Sequence, residues 1–267
     1  MKVFISADIE GVTGCTTWDE TIKDHKDYPY FALQMTKEVD AAAKGANAAG
    51  AQEILIKDAH ETGTNIDHNL LPMNTKLIRS SSGDKYSMVQ ELDDTFDALI
   101  FIGYHSASGQ DSNPLAHTMN ASTIDYIRIN GKVLSEFILH SYIGAYHGVP
   151  VVFISGDRGL SGDVEYLDDK IGFVPVKEGK GLSTINIHPE LALERIEERV
   201  AEALSKELSE YKIDLPEEFQ VEIRYREHFR ALNAKDYPAV KQLDENTISF
   251  SSKDYMEVLS LIKFLVS

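Results

Sequence analysis

Four short apolar runs set the frame for this chain: Lys2–Ala7 (KVFISA), Ile54–Ile56 (ILI), Ala98–Ile102 (ALIFI) and Val151–Ile154 (VVFI). Each is rich in β-branched or large apolar residues and too short for a helix, so each predicts a buried strand. Helical spacing fills the gaps. From about Pro29, the residues Phe31, Met35, Val39 and Ala42 recur every three or four positions, and Gly50 stands where a helix should stop. A second helix is expected from Ser135 and Glu136 to Gly148. Further expectations are a strand at Lys76–Ile78, a short helix near Tyr86–Leu92, and a hairpin in which Asn130-Gly131 joins Tyr126–Ile129 to Lys132-Val133. Buried strands alternating with helices predict an α/β fold: a three-layer sandwich with a largely parallel central sheet.

The last third changes character. His188-Pro189-Glu190 opens a long helix whose apolar stripe is Leu193, Ile196, Val200 and Leu204, and a proline is well placed in a first turn. An alternating strand at Phe219–Ile223, a polar helical piece, a strand near Ile248–Phe250 and a closing helix at Tyr255–Val266 follow. The pattern divides the chain into a metal-binding catalytic α/β domain over 1–187 and a smaller α/β subdomain over 188–267.

Charge and cysteine usage narrow the class of partner. The 267 residues hold 43 acidic against 26 basic side chains, a formal net charge of −17. Nucleic acid and anionic membrane surfaces both demand a basic footprint, so neither is an expected partner. The single cysteine, Cys15, excludes an intrachain disulfide. The first residues, MKVFISADIEG, meet acids at Asp8 and Glu10 before any apolar leader can form. No stretch approaches the ~18 apolar residues of a membrane span. The cytoplasm is the expected location.

The position of acids and histidines carries the chemistry. Asp8 and Glu10 follow the first strand, His60 follows the ILI strand with Asp58 two residues before it, and His105 follows the ALIFI strand. In a parallel α/β sheet these are carboxyl ends, the edge at which ligands bind. Two carboxylates and two imidazoles suit Zn²⁺, Mn²⁺ or a similar ion. A further carboxylate would allow two ions, and spacing alone leaves Glu61, Glu136 and Asp157 all eligible. The remaining histidines (His25, His68, His140, His147, His188, His228) read as surface, cap or core residues. Cys15 reads as a small loop residue, and Trp18 as packing or interface.

The segment Ser6-Ala7-Asp8-Ile9-Glu10-Gly11 resembles the Ser-x-Asp-x-Glu-Gly signature of the zinc-dependent D-aminopeptidase family. Further segments match that family in order and spacing: Met35–Val39 with Ala49-Gly50-Ala51, Asp58-Ala59-His60, Gly103–Ser106, Ala116-His117-Thr118, Asn130-Gly131 ahead of Ser135-Glu136, and Ser155-Gly156-Asp157. The resemblance implies a binuclear zinc site, with two Zn²⁺ per subunit held by Asp8, Glu10, His60, His105 and Glu136. It implies a catalytic role for His117, and release of the N-terminal residue of short peptides, with D-amino acids as the favoured kind. It also implies a homo-oligomer of ring-like form. Family members often carry glycine where this chain has Ser135, whose hydroxyl suits a helix N-cap. A free peptide amino group needs an anion, for which Asp58 and Asp157 are the candidates. On the residues alone, two other classes stay open. One is a different two-metal hydrolase, a phosphoesterase or amidohydrolase. It is disfavoured by the scarcity of basic residues at the strand ends, where Lys57 and Arg158 are nearest. The other is a binding protein with a structural metal, disfavoured because about four ligands close such a site.

Overall fold

The computed structural model describes residues 1–266. In chain order the strands are β1 (Lys2–Ala7), β2 (Glu53–Asp58), β3 (Thr75–Ile78), β4 (Ala98–Tyr104), β5 (Ile124–Ile129), β6 (Lys132–Val133), β7 (Val151–Asp157), β8 (Gly172–Lys180), β9 (Ser183–Asn186), β10 (Phe219–Tyr225), β11 (Lys241–Gln242) and β12 (Thr247–Ser252). The helices are α1 (Tyr28–Ala48), α2 (Glu136–His147), α3 (Ser161–Leu167), α4 (Pro189–Leu204), α5 (His228–Ala234) and α6 (Tyr255–Leu265).

The central sheet runs β3-β2-β1-β4-β7-β8-β9. Every pairing in it is parallel except the closing hairpin of β8 with β9. β1 and β4 lie at its middle, and both are buried almost end to end, which is why they read as unbroken apolar runs. From β1 the chain passes through α1 to β2 on one side. From β4 it passes through α2 to β7, and then through α3 to β8, on the other. Right-handed crossovers running in opposite directions place α1 on one face and α2 and α3 on the other. α4 packs beside α1, completing that layer. The reversal falls between β1 and β4, and a crevice at the carboxyl ends of such a pair is where an α/β sheet receives ligands.

The second sheet is antiparallel, in the order β11-β12-β10-β5-β6. Its strands come from both sides of residue 187: β5 and β6 form the expected hairpin, and β5 pairs with β10. One hydrophobic core runs through both sheets. The C-terminal helix belongs to that core, since Tyr255, Val258, Leu259, Leu261 and Ile262 are all buried; Phe264 is a large apolar side chain that it leaves exposed.

Local chemistry explains the helix ends that matter. The Ser135 hydroxyl accepts a hydrogen bond from the Ile138 amide at 3.3 Å, and Gly148 closes α2 at φ 71°. Glu136 therefore stands at the first position of a firmly capped helix. The helix expected near Tyr86–Leu92 is one 3₁₀ turn, Ser87–Val89. The β8–β9 hairpin and α3 carry no clear periodic signal. Gly172, Pro175 and Gly179 dilute the apolar pattern of β8, and β9 is mostly exposed.

Candidate metal centre

Two glycines let the ends of β1 and β4 meet. The Gly11 amide donates to Gly103 O at 2.8 Å, and the Asp8 amide to Ile102 O at 2.8 Å. A Cβ on Gly11 would lie 1.8 Å from Tyr104 O, and one on Gly103, whose φ is +69°, would lie 2.2 Å from Asp8 O. This close backbone approach sets Asp8 and Glu10 beside His105.

The six side chains singled out from sequence come together at this edge in two groups. Potential ligand atoms of Asp8, Glu10 and His60 lie within 4.8 Å of one another, as do those of His105, His117 and Glu136. Asp8 stands between the groups: Oδ1 is 3.4 Å from His60 Nδ1, and Oδ2 is 3.5 Å from His105 Nε2. Glu10 Oε2 lies 3.1 Å from His60 Nδ1. Glu136 spans the second group, with Oε2 3.5 Å from His105 Nε2 and Oε1 3.6 Å from His117 Nε2.

Each imidazole is oriented by a backbone carbonyl, which can only accept. His60 Nε2–H donates to Thr21 O at 3.0 Å, His105 Nδ1–H to Ser106 O at 3.0 Å, and His117 Nδ1–H to Leu115 O at 2.8 Å. The opposite nitrogen of every ring therefore faces the carboxylates, placed to bind a cation in exchange for its proton, the arrangement by which outer partners prepare metal-binding histidines. His105 and His117 stack at 4.3 Å, and Trp18 packs edge-on against His117 at 5.4 Å. The Met119 amide donates to Glu136 Oε1 at 2.6 Å.

Burial makes the cluster electrostatically tense. Desolvation, together with the neighbouring Glu10 charge, pushes Asp8 up to about 7. Desolvation also acts on Glu10 and Glu136, but the imidazoles beside them prevail. Glu10 is held well below its usual range by His60, and Glu136 down at about 2 by His105. Against their own burial, the carboxylates raise His60 well above its usual range and His105 to about 10. Two buried atoms within the cluster, Glu10 Oε2 and His105 Nε2, have no hydrogen-bond partner. An unpartnered buried carboxylate oxygen and imidazole nitrogen are what a divalent cation of zinc type satisfies, displacing the protons that otherwise hold the cluster together. The residues fit such ions.

Asp58 and Asp157 lie outside both groups. Asp58 accepts from the Asn65 amide (2.6 Å), Asn65 Nδ2 (2.7 Å) and the Ile66 amide (2.8 Å). Asp157 accepts from the Ser106 amide (2.7 Å), the Ser106 hydroxyl, the Gly159 amide (2.9 Å) and Asn113 Nδ2 (3.1 Å). Asp157 is saturated, Asp58 takes three donors, and both are fully buried loop anchors out of reach of a substrate ammonium. Among the other histidines, His188 caps α4 by accepting from the Glu190 amide at 3.2 Å, and His140 is buried 2.6 Å from Glu136 O. Cys15 is fully buried, and burial pushes its thiol far up.

Lys177 escapes sequence reading. Its buried ammonium donates to Glu10 O and to Cys15 O (2.5 Å), clamping the loop after β1. A register shift between β7 and β8 aligns Asp157 with Lys177 and turns both Val176 and Lys177 inward. Only recognition of that irregular strand would have revealed it. From the other side, Glu38 of α1 accepts from the Thr13 amide at 2.9 Å.

The cluster opens into a cavity of about 530 Å³, lined also by Trp18, Ile22, Glu61, Ser87, Met119 and Asn120. Among the described residues no lysine or arginine lines it. A family model described as D-aminopeptidase matches residues 1–264. The chain belongs to the D-aminopeptidase family. A D-aminopeptidase of Bacillus subtilis (strain 168) is 28% identical over 263 residues, covering 96% of this chain and 93% of that protein. The solved structure of a Zn-dependent D-aminopeptidase, DppA from Bacillus subtilis, described as a self-compartmentalizing protease, matches at a TM-score of 0.91. It is 25% identical, and the match covers 100% of this chain and 97% of that one. The motif resemblance thus extends over nearly the whole D-aminopeptidase fold, including the second sheet.

Proposed function

We propose that this chain is a zinc-dependent aminopeptidase that removes the N-terminal residue, preferentially a D-residue, from short peptides. The observation that carries the reading is the pair of three-residue cation groups with Asp8 between them, opening into a cavity without a basic side chain. A phosphoester substrate would want such a side chain, so the cavity's lining argues for a peptide. Asp8, Glu10, His60, His105 and Glu136 would hold two Zn²⁺. When bound, the ions supply Lewis acidity for the scissile carbonyl and activate water at neutral pH.

The chain's own residues supply the rest. Leu115 O fixes the His117 tautomer, leaving Nε2 to take a proton from the attacking water and return it to the departing amino group. Trp18 shields that ring on its outer side. Lys177 and Glu38 hold the Glu10 loop from opposite sides, so the carboxylates keep their spacing as substrate enters.

Self-association follows the relative's self-compartmentalizing description. Exposed apolar side chains such as Tyr30, Leu33, Leu182, Ile185 and Phe264 are available for it. Among the described residues no helix is long and apolar enough to cross a membrane. With the single buried cysteine and the acidic surface, this supports residence in the cytoplasm.

The test is hydrolysis of matched D- and L-aminoacyl p-nitroanilides and N-acetylated controls by zinc-loaded and chelated protein. Zinc-dependent release from free-amine D-substrates is expected. Equal cleavage of N-acetylated substrates, or turnover of phosphate esters alone, would overturn the reading.

A further inference from the structure

An aminopeptidase must recognise a free ammonium group, and both carboxylates that spacing offered for this task, Asp58 and Asp157, are consumed by loop hydrogen bonds. Four acidic side chains line the cavity: Asp8, Glu10, Glu136 and Glu61. The first three belong to the cation groups; Glu61 does not. Among the described residues its carboxylate makes no hydrogen bond and no ion pair, and its side chain is exposed at the cavity.

The backbone holds Glu61 in place at a cost. Its φ is +43°, a left-handed conformation unusual for a residue with a side chain. The turn enforcing it is braced twice at one carbonyl, since His60 O accepts from the Gly63 amide at 2.8 Å and from Asn65 Nδ2 at 2.8 Å. Asp58 in turn grips Asn65. The buried Asp58 thus serves the turn that carries Glu61. Ser87 (φ +48°) and Met119 (φ +64°) line the same cavity, so three of the seven left-handed non-glycine residues among those described border it. Strain of this kind collects where a structure pre-positions groups for a ligand.

We propose that Glu61 is the substrate-positioning residue that binds the α-ammonium of the peptide. This rests on the aminopeptidase reading above. The charge balance agrees: two divalent ions against three ligand carboxylates leave one net positive charge, which would repel an incoming ammonium. The Glu61 carboxylate offsets that charge, one residue beyond His60, and gives the amine an acceptor. The same acceptor would suit a side-chain ammonium, so the experiment separates the two sources.

Zinc-loaded wild type, Glu61→Gln and Glu61→Asp are compared on D-alanyl-p-nitroanilide, D-lysyl-p-nitroanilide and the des-amino analogue propionyl-p-nitroanilide. Calorimetry measures binding of D-alanine and of propionate to the same proteins. Glu61→Gln should raise KM for D-alanyl-p-nitroanilide about 10- to 100-fold, the value of a charge-assisted hydrogen bond, with kcat changed by less than about threefold. D-Alanine affinity should fall by a similar factor, while propionate affinity, des-amino turnover and zinc content stay as in wild type. Glu61→Asp should recover part of the loss. Unchanged KM and D-alanine affinity in Glu61→Gln would overturn the proposal, as would equal weakening of D-alanine and propionate. A loss confined to the D-lysyl substrate would overturn it by assigning the carboxylate to a side chain. If wild type cleaves none of these substrates, the aminopeptidase reading fails. The D-alanine and propionate affinities then still judge Glu61, because an anchor must make wild type favour D-alanine.

Discussion

His117 separates chemistry from scaffolding. Its Nε2 shares a group with His105 and Glu136, yet its ring is more exposed than theirs and stacks outside His105. His117→Ala is expected to retain both zinc ions and lower kcat about 10²- to 10⁴-fold. His105→Ala, which removes a fully buried donor, should lose metal and activity together. Metal analysis and turnover on the two variants, side by side, check this; loss of zinc from His117→Ala would make it a ligand instead. Cys15 gives a pH-dependent counterpart. Its thiol is raised by burial, so the folded chain keeps that proton while the unfolded chain releases it. Stability is therefore undiminished below the ordinary thiol range and declines as pH rises above it, by up to about 1.4 kcal/mol per pH unit from this group. Denaturant titrations across alkaline pH should show a shallower decline for Cys15→Ala than for wild type. Alkylation of native Cys15 near neutral pH should be slow, and prompt in urea.

The site is made at the level of elements by how closely β1 and β4 end. Gly11 is the test of that junction, because a methyl there would lie 1.8 Å from Tyr104 O, far inside van der Waals contact. Gly11→Ala should destabilise the fold by about 3 kcal/mol and depress zinc retention, since the strand ends must part to accept it. Gly50→Ala is the control: it places a side chain at positive φ (+93°), a strain that Gly11 does not carry, but in open space just before β2, at the amino end of that strand. It should cost about 1 kcal/mol and spare the metal. Thermal melts and zinc content of the two variants distinguish a local strain from one that reaches the site. Two side chains converge on the same junction from elements distant in sequence. Lys177 of β8 and Glu38 of α1 both bind the loop after β1, so its rigidity depends on strands and helices more than 130 residues apart in the chain.

For the whole molecule, the cation cluster is a liability until it is filled. Three buried carboxylates and three imidazoles, drawn from four separate segments, repel or protonate one another when empty. Chelation should lower Tm, and added Zn²⁺ should restore it with a gain of about 2.7 kcal/mol at one hundred times the dissociation constant for each site. Differential scanning calorimetry with and without chelator measures this. Unchanged Tm after verified metal removal would mean that the cluster is held by its protons alone. Light scattering of the metal-replete protein should report a closed homo-oligomer, with the exposed apolar residues of α1 and of the β8–β9 hairpin as the first places to look for its interfaces.

The amino-acid sequence by itself determined the layered α/β plan, because buried parallel strands must be nearly all apolar and α1 and α4 must each show one apolar stripe. It also determined which residues stand at strand ends, and the matching motifs carried the family. It did not reveal the β8–β9 hairpin, whose glycines, proline and lysine blur the period that makes a strand legible. Nor did it reveal that strands on both sides of residue 187 share one sheet, since pairing of β5 with β10 leaves no trace in either segment. The division of labour among the acids was settled only in three dimensions. Asp58, Asp157 and Glu61 look alike along the chain, and what distinguishes them is whether their oxygens find amide donors. That is a property of loops folding back over a sheet edge, where contacts within a turn for Asp58 and across 51 residues for Asp157 decide which carboxylates are spent and which remain free.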